Sequence, residues 1–187
     1  MIRNTSESWG WPARALHWIV AAMVLGLFAH GLWMEDLPRD QRLYQTWLHV
    51  AFGATLLAFV AAGFVWWLLN AAPRDPAGTP VWQRRAAHGV YWVLYALIFA
   101  TLLAGWALTG TLRDPIAIEM FGFIGLPPLT AAGSSSHELY EEAHELFAYA
   151  LIVLVAVHVA AALYHHFVLR DAVLWRMLGS KPQRHGL

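Results

Sequence analysis

Ten histidines and no cysteine define the metal chemistry open to this 187-residue chain. Four of them, His144, His158, His165 and His166, interrupt the otherwise apolar run "AHELFAYALIVLVAVHVAAALYHHF", residues 143–167. An ionisable side chain at membrane depth is costly and marks function by default, although a single histidine is equally well explained by a helix–helix hydrogen bond. Spacing separates the two readings. Across fourteen residues of helix, His144 and His158 fall about 40° apart in azimuth and about 21 Å apart along one face. The helix therefore presents one imidazole at each of two levels, and His165 continues the stripe seven residues further on.

Partners at those levels come from other elements. Four stretches, roughly 15–34, 47–69, 87–111 and 143–169, are long and apolar enough to cross a bilayer. "AHG" at 29–31 loosely resembles a signal-peptidase site, but the first run is long and starts with a histidine, so it is read as a mature helix. With the helices alternating in direction, His17 lies near one face of the membrane and His49 near the other. The histidines then sort by depth, His49 with His144 and His17 with His158. Two imidazoles facing each other across a bundle suit a planar cofactor whose iron takes two axial ligands, which is b-type haem. Zinc calls for a compact tetrahedral cluster instead. The absence of cysteine excludes disulfides, cysteine-ligated iron–sulfur clusters and covalently attached c-type haem. Gly53, Gly63, Ala160, Ala161 and Ala162 supply small residues where ring edges press on backbone, though ordinary helix packing uses them too.

With 59% hydrophobic and 13% charged residues, the composition is that of a membrane protein, and the length fits one domain over 1–187. The expected fold is all-α, an integral membrane four-helix bundle. The formal charge of zero hides a separation. The N-terminus, the 70–86 connection and the tail hold nine cations, Lys181 and Arg184 among them, against three acids, or +6. The opposite face holds Arg39, Arg42 and Arg113 against nine acids, or −6. The cation bias places both termini in the cytoplasm, with an acidic face outside. No nucleic-acid partner is expected; membrane lipid is. The long outer segment 111–136 is expected to lie on the membrane surface and roof the bundle. Trp9, Trp11, Trp33, Trp47, Trp82 and Trp175 fall near helix ends and read as an interfacial belt.

The other histidines divide by position. His165 and His166 lie about 10 Å along the helix beyond His158, flanked by Tyr164 and Arg170, near the cytoplasmic headgroups. Histidine there exchanges protons near neutral pH, and a snorkelling interfacial pair is the plainer alternative. His88 would compete with His17 as a ligand and fits an interfacial or quinone-site role better. His30, out of phase with His17, together with His137 and His185, is assigned no chemistry.

"RALHWIV", "LHVAFG", "AAHGVYWVLY" and "HELFAYALIVLVAVHVAAALYHHFVLRDAVLWRML" together resemble the bacterial cytochrome b-561 family, whose members include superoxide oxidase. The last segment is the most specific. The wider superfamily includes the cytochrome b subunits of nickel–iron hydrogenases and formate dehydrogenases, where two haems also hang from a fourteen-residue histidine pair. The resemblance implies two haem b groups moving electrons between the outer face and quinone. By this analogy superoxide gives its electron to an outer haem on His49 and His144, and an inner haem on His17 and His158 receives it. Ubiquinone is then reduced near His165, with His166, Tyr164, His88 and Arg85 in the same layer. The metal ligands are accordingly His17, His49, His144 and His158. The −6 outer face would slow an anionic substrate unless Arg39, Arg42 or Arg113 provides a local positive path. An acidic face suits a basic periplasmic redox protein better, so a non-catalytic electron-transfer cytochrome is the alternative. A histidine-lined metal or proton transporter is the third class.

Overall fold

The computed structural model describes residues 1–76, 78–114 and 116–179; Lys181, Arg184 and His185 lie outside the described residues. Four long helices dominate: α1 (Trp11–Glu35), α2 (Arg39–Leu69), α3 (Val81–Thr111) and α4 (His137–Tyr164). All four are long and apolar enough to cross a membrane. Three of the four starts are written with proline, which loses no helical hydrogen bond there: Pro12 opens α1, and Pro38 and Pro80 immediately precede α2 and α3. The helices overrun their apolar runs. At 31 residues α2 is about 46 Å long, against a hydrocarbon layer of about 30 Å, so its polar first turns continue as helix outside the membrane.

α1 packs along α2 and α3 along α4, while α1 and α4 touch over only a short stretch. The α2–α3 seam is aromatic in its inner half, with Phe64 and Trp67 of α2 against Tyr91, Trp92, Tyr95 and Phe99 of α3. Large apolar side chains such as Leu25, Val65, Trp92, Val153 and Phe167 face outward, which is favourable only against lipid. The buried core is Val24, Leu56, Val60 and Leu151, flanked by Leu94, Leu97, Ile98 and Leu102 of α3. Leu151 stands seven residues from both His144 and His158, so this core forms an apolar floor between the two histidine levels.

The outer segment departs from its expected place. Rather than only roofing the bundle, it forms a hairpin of β1 (Ile118–Met120) and β2 (Ile124–Leu126), antiparallel with Met120 opposite Ile124. The hairpin lies along α2, with Ile118 buried at its root. Its tip reaches inward: the Phe121 N–H donates to the Thr55 hydroxyl at 2.9 Å, and the Phe121 ring meets Phe59 edge-on at 5.9 Å. Thr55 is six residues, or about 9 Å, further along α2 than His49. The two strands pair over three residues, and Thr55 accepts one further backbone N–H at the tip. After the hairpin the chain returns along α3, where Pro127 accepts from Trp106 Nε1 and Thr130 donates to the Ala107 carbonyl.

α4 does not run straight to Leu169. Beyond Tyr164 the next five residues, His165–Leu169, widen into a π-helical turn that ends on Arg170 in the left-handed region (φ 52°). A short helix α5 (Val173–Leu178) then folds back, with Met177 accepting from Trp18 Nε1 of α1. Asn4 donates to the Ala71 carbonyl, Arg74 N–H to Ser6, and Arg176 to the Arg74 carbonyl. The N-terminus, the α2–α3 connection and α5 therefore gather at one end of the bundle, the cation-rich end.

Candidate functional site

Helix packing brings the four predicted ligands together in two pairs. The His17 and His158 rings stand 6.3 Å apart between centroids, and the His49 and His144 rings 6.2 Å apart. Two imidazoles bound to one metal through bonds of about 2.0 Å, with about 1.1 Å from nitrogen to ring centre on each side, would stand roughly 6.2 Å apart. Among the described residues no three histidine or acidic side chains converge to hold a metal ion, so the arrangement is pairwise.

The surroundings of the outer pair fit axial ligation. His144 donates its Nδ1–H to the Thr101 carbonyl at 2.8 Å, which leaves Nε2 as the nitrogen able to bind metal. The ring reaches that carbonyl because Gly105, one turn along α3, carries no side chain: a Cβ there would stand 2.8 Å from His144 Nδ1. On the other side, Gly53 lies one turn beyond His49 on the same face of α2, and a Cβ there would meet nothing within 4 Å. At the inner level Arg14, one turn before His17, has a buried Nε without a partner among the described residues, a cation suited to a haem carboxylate. These residues fit haem b in both layers.

Three participants escaped the sequence reading. His30, left without chemistry because it is out of phase with His17, meets His49 with nearly parallel rings (centres 5.7 Å apart, 16°) and 3.5 Å between their Nδ1 atoms. Its Nε2 meets Gln45 Oε1 at 3.0 Å. Phase around α1 was the wrong measure, because the face of α1 that carries His30 is the face packed on α2. Thr101 and Gly105 were the second omission; the small-x-x-x-small spacing in "TLLAG" was the available signal. Asp171 is the third. Its carboxylate accepts from His165 Nδ1 at 2.5 Å and from the Val173 N–H at 2.9 Å, tying the π turn to α5.

The expected quinone layer is only partly assembled. His165 is held by Asp171 and touches the Tyr164 ring edge-on, while the His166 ring packs on Phe167 and Trp175 with its Nδ1 buried and unpartnered among the described residues. His88 and Arg85 are exposed on α3, and neither makes a side-chain hydrogen bond among the described residues. At the outer end, Arg39 and Arg113 are exposed, whereas Arg42 donates to the Glu35 and Leu37 carbonyls and closes the α1–α2 turn. Arg42, Gln45 and His49 nevertheless share one face of α2. His137 is structural, bonded to the Thr111 hydroxyl at 2.7 Å.

The profile of the family described as prokaryotic cytochrome b561 matches residues 8–180. The chain belongs to that family. Cytochrome b561 homolog 2 of Escherichia coli (strain K12) is 31% identical, over 98% of either chain. Cytochrome b561 homolog 1 of the same organism is 27% identical over 87% of this chain and 92% of its own length. The probable superoxide oxidase CybB of Yersinia pestis is 27% identical over 89% and 93% respectively. As a cytochrome b561 the chain is a multi-pass bacterial membrane protein of electron transfer, and the family implies haem b.

Proposed function

We propose that this cytochrome b561 is a di-haem oxidoreductase of the bacterial inner membrane that takes electrons from superoxide at the periplasmic face and delivers them to ubiquinone near the cytoplasmic face. The observation that carries the reading is the presence of two histidine pairs, one per membrane level, each with ring centres spaced for one shared metal. His17 with His158 and His49 with His144 would hold the two groups. Haem b, when bound, supplies a one-electron centre. The balanced reaction converts two superoxide ions, one ubiquinone and two protons to two dioxygen molecules and one ubiquinol.

The chain's own residues divide the remaining work. Arg42, on the His49 face of α2, offers the anion a positive approach in an otherwise acidic surface, with Arg39 beside it. Val24, Leu56, Val60 and Leu151 pack between the two levels and hold α1, α2 and α4 in register there. At the cation-rich end His165 gives its Nδ1–H to Asp171, so Nε2 is the atom left to exchange a proton with quinone. Tyr164 and His166 shape the same site, and His88 and Arg85 flank its approach from α3. Both termini are then cytoplasmic, and residues 1–187 act as one unit.

The test is direct. Purified protein shows reduced-minus-oxidised bands of b-type haem at two haems per chain, and with a superoxide source it converts ubiquinone to ubiquinol. Protein without those bands would sink the reading. Haem bands with no superoxide-dependent quinol would favour the second reading, a transmembrane electron-transfer cytochrome serving a periplasmic redox protein, for which the −6 outer face speaks.

A further inference from the structure

The two histidines of the outer pair are anchored differently, and the difference identifies a role for His30. Gln45 Oε1 is an acceptor, so the His30 Nε2 that meets it at 3.0 Å carries the proton. In a neutral imidazole the other nitrogen, His30 Nδ1, is then a lone pair. That lone pair faces His49 Nδ1 at 3.5 Å, with ring centres 5.7 Å apart and planes only 16° apart, so the rings meet nearly coplanar and edge to edge. Only one tautomer of His49 completes the chain: Nδ1 donates and Nε2 is bare. His144 reaches the same state by donating to the Thr101 carbonyl at 2.8 Å. His17 and His158 make no such hydrogen bond among the described residues.

We infer that His30 and Gln45 form a positioning relay that fixes the tautomer and ring orientation of His49 and thereby sets the affinity and reduction potential of the outer haem alone. The inference rests on the di-haem reading of the site. Its chemistry is that of an outer-shell acceptor: taking a hydrogen bond from a ligand imidazole makes the other nitrogen more basic, which favours ferric over ferrous iron. Neither His30 nor Gln45 touches the metal in this arrangement.

The experiment compares redox titrations, spectra and haem-to-protein ratios of the wild type, His30→Leu, His30→Gln and Gln45→Leu, with His49→Ala marking the outer signal. In His30→Leu the outer potential rises, the inner potential stays in place, and the outer haem binds about 10–100-fold more weakly. Gln45→Leu moves the outer potential the same way by less. His30→Gln keeps an amide oxygen for His49 and stays near wild type. If His30→Leu retains wild-type outer potential and affinity, the relay does not exist. If His30→Gln changes as much as His30→Leu, bulk rather than hydrogen bonding is at work, and the inference is equally overturned. An outer haem that stays six-coordinate in His49→Ala would make His30 itself a ligand, which also overturns it. Wild-type protein lacking haem bands would instead remove the underlying reading.

Discussion

At His144 a single methyl group separates an oriented imidazole from a displaced one. Gly105→Ala places a Cβ 2.8 Å from His144 Nδ1, with α3 backbone behind it, so the ring must leave the Thr101 carbonyl. The expected result is loss of outer haem only, seen as a haem-to-protein ratio falling from about two towards one, with costs of about 10–100-fold in affinity as for other outer-shell changes. The pairing has its own test. His49→Ala or His144→Ala removes the outer haem alone, and His17→Ala or His158→Ala the inner one; spectra in which His17→Ala and His49→Ala lose the same signal would break the pairing. The pairing of these four histidines was legible because a fourteen-residue interval and alternating helix directions fix level and face without coordinates. His30 and Gly105 were not, since each acts on a neighbouring helix and its role depends on how that neighbour is rotated.

The π turn and the hairpin are the elements that depart most from a plain four-helix reading. Asp171 holds His165 from six residues downstream, so the end of α4 is shaped by a residue beyond it, which the apolar pattern of 143–169 does not record. His165→Ala and Asp171→Asn are both expected to keep two haems and electron entry at the outer face. Quinol formation should fall sharply in the first and partially in the second, measured with a superoxide source; near wild-type turnover in His165→Ala would move the quinone site elsewhere. The hairpin was illegible for a related reason: two three-residue strands have too little alternation to announce themselves, and their anchor, Thr55, is 66 residues away. Phe121 sits in the left-handed region (φ 56°), which costs a non-glycine residue roughly 1–2 kcal/mol. Thr55→Val removes the acceptor of its N–H at a further cost of about 0.5–1.5 kcal/mol. Faster hydrogen exchange and proteolysis confined to residues 118–126 would report the release. The long helices α2 and α3 were placed correctly by hydropathy but cut short, because hydropathy sees the membrane and not the helical turns that extend beyond it.

For the molecule as a whole, composition and charge separation already specified a membrane bundle with a cationic and an acidic end, and the structure gathers the N-terminus, the α2–α3 connection and α5 at the cationic one. What composition could not express is the layer between the ends. Val24, Leu56, Val60 and Leu151, with Tyr95 packed at their edge, fill the space between the two histidine levels, which stand about 21 Å apart. Under the proposed direction, each turnover drives negative charge inward across about two thirds of the bilayer while protons for quinol come from the inner side. The reaction is therefore electrogenic. Moving one charge through the full field takes about 2.3 kcal/mol per 100 mV, so an energised membrane opposes turnover and a de-energised one releases it. In proteoliposomes holding an inside-negative potential set by a potassium gradient and an ionophore, collapsing that potential with external potassium should accelerate superoxide-dependent quinol formation, and this cytochrome would act as a small generator whose rate reads the voltage it helps to build.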